Sequence, residues 1–464
     1  MSRSIMNFDS AVSIREAPSA EYPSTPAEAE ALLGAIERIC ADLGWSESNR
    51  GCFGAVIQPG DKVLLKPNFV LDKNQGPWGM APMVTHQTII HAAVKAALLA
   101  QPASVLVADA PIQNCDFDHL LKVTGLDEWA AELSSHESRF MGVQDLRRTV
   151  STNSNGRRVV SENVLPEDRF VLYDLGSESL LEPITTPEEA FRVTCYDPRL
   201  MAQTHAPGRH RYLVAKDAIE ADVVINLPKL KTHKKAGITC ALKNLIGING
   251  NKEYLPHHRI GGSNIGGDCY PGESRFKRIV EFALDRQNVA GSELGSRVWS
   301  GLATQLNRAL NVVGDGLGIE GSWAGNDTIW RTGLDLNRIL IYGNLDGSLA
   351  ATPQRKVIHL VDAIVAGQAE GPLAPQPLNL GLLMGGSNAA AVDWIGARLL
   401  GYDPNGVSIV REAFREFRWP ITNFQPGDII LRGDWSPETL RETQLINARE
   451  VKHPIGWQDA KSIS

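Results

Sequence analysis

Cysteine is scarce and scattered in this chain. The 464 residues hold six, Cys40, Cys52, Cys115, Cys195, Cys240 and Cys269, and no two form a CxxC pair. A ferredoxin-type cluster needs closely spaced thiolates, so no iron–sulfur cluster is expected. Without a framework spacing the thiols read as reduced, which suits a cytoplasmic protein. No stretch approaches the ~18–20 consecutive apolar residues of a membrane helix. The N-terminal segment MSRSIMNFDSAVSIREAPS has no apolar centre of a signal peptide, so neither secretion nor a membrane partner is expected. Basic residues do not dominate either: 46 Lys and Arg stand against 53 Asp and Glu, a net charge of −7. That balance argues against nucleic acid, which calls for a broad basic face. There is no GxxxxGK[ST], no HExxH and no internal repeat. What is present, 43% apolar and 21% charged residues, is the composition of a globular protein long enough for two or three domains.

Against this acidic background, residues 221–262 concentrate positive charge. A short apolar strand, Val223 to Leu227, runs into Pro228. Lys229, Lys231, His233, Lys234 and Lys235 then crowd what reads as a seven-residue loop. The spacing of Ile238, Leu242 and Leu245 at i, i+4 and i+7 predicts a helix over 237–246, closed by Gly247. Lys243 and Asn244 lie on that helix, with Thr239 one turn before Lys243, and a buried ammonium needs a reason because it is costly without a partner. A second polar run follows, with Asn249, Asn251, Lys252, Glu253, His257, His258 and Arg259. Charge placed after the carboxyl end of a strand is where open α/β sheets bind ligands, so an anion site is expected here. A solvated basic loop beside a core helix remains the alternative.

The rest of the chain supplies a frame. Thr25-Pro26-Ala27-Glu28 has the form of a capping box with Pro at the first helical position. The strand 62–70 carries Lys66 and Asn68 at its end. Thr85 is placed to cap a helix over 86–100, and the strand 104–108 delivers Asp109. Strand, helix and strand in that order make a βαβ unit and imply a parallel sheet. Farther on, a strand over 356–361 ends at Asp362, Glu370-Gly371-Pro372 lies in the following loop, and Asp393 sits one turn into a helix over 389–400. Gly316-x-Gly318-x-x-Gly321 matches a dinucleotide fingerprint in letters, but no helix opens after it, so the context fails.

The run Asn226-Leu227-Pro228-Lys229-x-Lys231-Thr232-His233, followed by Thr239-x-x-x-Lys243-Asn244-x-x-Gly247, resembles the domain of unknown function 362 family. Lys66-Pro67-Asn68, Asp362 with Glu370-Gly371-Pro372, and Asp393 resemble that family's other motifs. Some of its members carry added iron–sulfur modules, and this chain lacks their cysteines. More loosely, His233 through Ile248 is similar to the cofactor-lysine region of the nickel-pincer lactate racemase family. That likeness implies fold kinship and a ligand-facing Lys243, and no nickel cofactor is inferred from it.

These readings combine into an α/β protein of two lobes, each a mainly parallel sheet flanked by helices, with a ligand cleft between them. Residues 1–50 form a lead-in and helix, 51–275 an N-terminal lobe, and 276–464 a C-terminal lobe. The expected ligand is a small anionic metabolite or activated sugar. Lys66, Asn68, Lys229, Lys231, Thr239, His257, His258 and Arg259 are the candidate substrate-binding residues. Lys243, His233 and Asn244 are the candidate catalytic ones, since an amine desolvated among cations loses its proton more easily. Asp109, Asp362, Glu370 and Asp393 would hold a divalent metal ion by oxygen ligation. The other outcome is that these acids and lysines simply pair with one another. Isomerisation, elimination and group transfer stay open, as do a homo-oligomer and two non-enzyme readings, an anion- or metal-binding protein and a redox partner.

Overall fold

The computed structural model describes residues 7–461 other than 155–156, 163–164, 195, 290–292 and 314–315, so Cys195 lies outside the described residues. Ten strands make up its main sheet: β1 (Ala11–Glu16), β2 (Lys62–Pro67), β3 (Ser104–Asp109), β4 (Phe140–Asp145), β5 (Val223–Leu227), β6 (Lys229–His233), β7 (Gly237–Thr239), β8 (Lys356–Glu370), β9 (Ala374–Gly386) and β10 (Ile430–Gly433). Their order across the sheet is β10-β1-β9-β8-β5-β2-β3-β4, with β6 on β8 and β7 on β6. From β8 through β4 every neighbouring pair is parallel, whereas β9 runs antiparallel to both β8 and β1.

The chain is therefore of the α/β class with a large, mainly parallel sheet flanked by helices. The sheet is continuous. β5 pairs with β2 on one edge, Val223 opposite Val63, and with β8 on the other, Val223 opposite Lys356. Strands from both sides of residue 275 thus share one sheet, and the N-terminal lead-in supplies β1 to its far half. No described helix is long and apolar enough to cross a membrane.

Alternation along the strands explains how the sheet is covered. Val63 and Leu65 of β2 face a core built with the helices α1 (Pro26–Asp42) and α2 (Gln87–Leu99), while Leu64 faces the opposite core. That second side holds α3 (Ala241–Asn244), α4 (Ile329–Tyr342) and α5 (Ala389–Leu399). The capping box forms as the sequence predicts: the Thr25 hydroxyl accepts from Glu28 N at 3.3 Å and the Glu28 carboxylate accepts from Thr25 N at 3.1 Å. α2 is capped by His86, not Thr85. The Thr85 hydroxyl is committed elsewhere, donating to Leu227 O at 2.5 Å and accepting from Asn68 N at 2.8 Å.

Three local expectations give way to long-range pairing. Residues 229–233 are a strand, β6, not a loop. They extend β5 past Pro228 along β8, Lys229 opposite Asp362 and Lys231 opposite Gly367. β8 accordingly runs 15 residues and carries Asp362 in its interior rather than ending there. The helix predicted over 237–246 shortens to α3, because Gly237 to Thr239 pair with β6 as β7. Ile238, Leu242 and Leu245 are all buried, so their apolar character is used, but on three successive elements.

Candidate functional site

The carboxyl ends of β2, β3 and β5 meet α3 through a lattice of buried polar side chains. Lys66 donates to Asp109 Oδ1 at 2.7 Å, and Asp109 Oδ2 accepts from Phe69 N at 2.7 Å. Burial lowers the Lys66 pKa and raises that of Asp109, each against the attraction of the other. The Asn244 amide donates to Asn226 Oδ1 at 2.7 Å and to the carbonyls of Lys66 and Pro67 at 3.3 Å. Asn226 donates in turn to Ala241 O at 3.0 Å, so the two asparagines fasten α3 to both strand ends. Gly247 packs against this lattice so closely that a Cβ there would lie 2.1 Å from Asp109 Oδ1.

A second buried pair lies across β6. Lys229 donates to Asp362 Oδ2 at 2.6 Å, and Asp362 also accepts from the Tyr22 hydroxyl at 2.7 Å and from His86 N at 2.9 Å. Lys231, on the same face of β6, has no ion-pair partner among the described residues. It donates to Asn68 Oδ1 at 2.5 Å and to the Met83 carbonyl. Burial, with Lys229 and Lys243 nearby, holds its pKa well below the usual lysine range.

Between these anchors lies a cavity of about 400 Å³, reached by residues following β2 and β3 and by β6, β7 and α3. Lys231, Lys235, Lys243, Lys252, His233 and His257 line it, beside Thr239, Gln113 and the apolar Phe69, Ile246 and Leu373. Lys243 has no hydrogen-bond or ion-pair partner among the described residues. Burial brings its pKa down to about 7, helped by Lys252, Lys235 and Lys66. Burial likewise brings Lys252 to about 8, with Asp109 pulling the other way.

The two histidines in the wall are held as different tautomers. His233 Nδ1 accepts from the backbone N–H groups of Lys235 and Ala236 at 3.1 and 3.2 Å, which leaves the proton on Nε2. His257 Nδ1 lies 2.6 Å from Leu255 O and must donate to it, which leaves Nε2 as a bare acceptor. Burial and the surrounding lysines push both rings well below the usual histidine pKa, so both are neutral. The wall thus offers a neutral donor, a neutral acceptor and an amine close to its titration point.

Residues 177–398 match the family model described as Domain of unknown function (DUF362). The chain is similar to that family over those 222 of its 464 residues. A thylakoid-associated protein of Synechocystis sp. is 26% identical over 220 residues, an alignment covering 47% of this chain and 47% of that protein. The chain therefore matches about half the length of that curated relative. A solved protein from Thermotoga maritima overlaps 77% of this chain and 55% of its own, at 12% identity and a TM-score of 0.32, too loose a likeness to define a common fold.

The matched segment contributes Lys231, His233, Thr239, Lys243, Asn244 and His257 to the cavity, and the residues before it contribute Asn68, Asp109 and Gln113. Lys66 and Lys229 stand outside the cavity, in the ion pairs that were the alternative reading for them. His258 and Arg259 form a short antiparallel pairing with Phe191 and Arg192, and His258 lines a different cavity. The four carboxylates expected to hold a metal are not brought together. Asp109 and Asp362 are paired with lysines. Glu370 lies 3.7 Å from Lys234 and accepts from Ile455 N. Asp393 accepts from the N–H groups of Ala241 and Leu242 at 2.6 and 3.2 Å, so it caps α3 from α5. Among the described residues no group of three or more His, Cys, Asp and Glu side chains is placed to hold a metal ion. The Cys240 thiol is pushed up by burial and by Asp393, as befits a structural cysteine.

Sequence reasoning gave no site role to Lys235, Lys252 or Gln113. Lys235 and Lys252 stood in the basic runs, but only the folded chain shows them facing Lys243. Gln113 is buried with both amide atoms unpartnered among the described residues. Its one sequence signal is its position just after the carboxyl end of β3.

Proposed function

We propose that this cavity binds a small anionic metabolite, phosphorylated or carboxylated, and that Lys243 moves a proton or attacks as an amine there. The observation that supports this most is Lys243 itself: a half-buried amine, unpartnered among the described residues, with a pKa of about 7, in a cavity where lysines outnumber the acids Asp109 and Glu320. An isolated cationic cavity attracts an anion. The anion in turn favours the protonated amine, so binding at pH 8 draws a proton onto Lys243. A lysine that takes up a proton as the ligand docks enters the complex as a general acid, so giving a proton to a ligand oxygen, as in isomerisation or elimination, is the step it suits best. His233 Nε2–H would donate to a ligand oxygen, and His257 Nε2 would accept from a hydroxyl. The carboxylates once expected to bind a metal already have partners, so no step of this reading runs through an ion on them. A cytoplasmic location stays part of the proposal. The Synechocystis relative's name places that protein at thylakoids, and cell fractionation decides the matter for this one.

The first test is a thermal-shift screen against phosphorylated and carboxylated metabolites, followed by turnover assays on those that bind. Calorimetry of a binding anion at pH 8, in buffers of different ionisation enthalpy, should report proton uptake that disappears in Lys243→Met. Lys243→Ala should abolish turnover. If it lowers affinity but leaves turnover, a binding protein is the better reading; if no anion shifts the melting temperature, the proposal fails.

A further inference from the structure

We infer that the ligand has two parts: an anionic head in the lysine-lined cavity, and an uncharged, hydroxyl-bearing tail in a second cavity beside it. This rests on reading the first cavity as an anion site. The second cavity has a volume of about 460 Å³, and Val193, Thr194, Lys234, Glu320 and Ser322 line both. A bare anion in the first compartment would leave the adjoining one to water.

The two compartments differ in how their charges are balanced. Lys243 in the first has no acid paired with it among the described residues, and lysines outnumber the acids of that wall. In the second, each cation of the wall has an acid beside it, and acids outnumber cations. Arg192 and Asp285 pair at 2.8 Å, and Lys234 lies 3.7 Å from Glu370. The Glu281 carboxylate accepts from Gly261 N at 2.8 Å and from the Tyr270 hydroxyl at 3.3 Å. An anionic tail would meet no unbalanced cation there, whereas a polar neutral one could use these groups together with Gln287 and Asn288. The loop carrying Gly316 and Gly318 forms another part of this wall, with φ of +73° and +66°. A Cβ at Gly318 would meet no atom within 4 Å, so the loop leaves its backbone open on that side. Its dinucleotide-like spelling follows the helix Glu293–Val313 rather than a strand, so it is not a phosphate loop. Its place in the fold is beside the tail instead.

Nucleosides and sugars share the tail chemistry, and titration calorimetry of the full chain separates them. The ligands are inorganic phosphate, glucose 1-phosphate, inorganic pyrophosphate and uridine diphosphate. At least one tailed ligand should bind tenfold or more tightly than its bare head, and which one does identifies the tail. Asn288→Trp, on the wall of the second cavity alone, should remove that gain and leave the affinity for the bare head within twofold. If the heads bind and neither tail improves on them, or if Asn288→Trp weakens heads and tailed ligands alike, the two-part ligand is overturned while the anion site stands. If none of the four binds, the anion site falls and this inference with it.

Discussion

Lys66 and Lys243 are both lysines surrounded by protein, and their neighbours give them opposite roles. Lys66 has Asp109 at 2.7 Å and belongs to the frame. Removing one member of a buried pair strands the other, at a cost of about 3–5 kcal/mol. Lys66→Met should therefore destabilise by that order in chemical denaturation, and Lys66→Met with Asp109→Asn should recover part of the loss. Lys243 has no such partner. Its folded pKa of about 7 lies below the ordinary 10.5, so between those values the folded chain holds fewer protons than the unfolded one. Stability then rises with pH across that window, and the burden of the buried charge is fully present below pH 7. Lys243→Met should raise the melting temperature at pH 6, on the order of 1–2 °C, with the gain shrinking towards pH 9. Asp393 has the opposite sign: burial raises it to about 7, so its contribution is present at low pH and is lost as pH rises through 7. Comparing the Lys243 variant with the parent at each pH cancels that background. A gain that does not vary with pH would show that Lys243 is not the unpaired amine described.

α3 shows how little of a functional element can be held by its own residues. Four residues are far short of the ~12–15 that an isolated helix needs. Asp393 holds its first N–H groups from α5, the Asn337 amide donates to Leu242 O at 2.9 Å from α4, and Asn244 ties its end to β2 and β5. Gly247, just beyond it, is where the frame meets the site. A Cβ there would stand 2.1 Å from Asp109 Oδ1 and 2.7 Å from Lys66 Nζ, and the pair cannot retreat because Phe69 N holds the carboxylate. Gly247→Ala should cost about 1–3 kcal/mol and weaken anion binding with it. Gly427→Ala, where a Cβ would meet nothing within 4 Å, should do neither. Equal melting curves for the two variants would contradict the close approach at Gly247.

At the scale of the whole molecule, the sheet makes the two halves of the chain interdependent. β5 lies between β2 and β8, and β1 between β9 and β10, so each half supplies strands that the other half pairs. A fragment of residues 1–275 would expose the unpaired edges of β1, β5 and β6 and lose the apolar partners of all three. It should lack native near-ultraviolet dichroism and be digested rapidly by protease, with both properties restored on mixing with residues 276–464. A protease-resistant 1–275 fragment would instead show that the N-terminal half folds independently.

The sequence alone sufficed wherever the controlling interactions are local. The capping box at Thr25 and Glu28, the strand–helix–strand run from β2 to β3 and the apolar strand β5 were legible because they depend on neighbours a few residues apart. The clustering of cationic residues after β5 in the sequence was legible for the same reason, though not the strand they form. Local pattern failed where a distant segment supplied the partner. Lys229 finds Asp362 133 residues away, and Lys66 finds Asp109 43 residues away. A lysine's spelling is the same whether a carboxylate awaits it or not, so only tertiary structure sorted the paired lysines of the frame from the unpaired amine of the cavity. It also turned the charged segment 229–233 into a strand, because β8 is long enough to satisfy its backbone while Asp362, Asn68 and Met83 satisfy its ammonium groups.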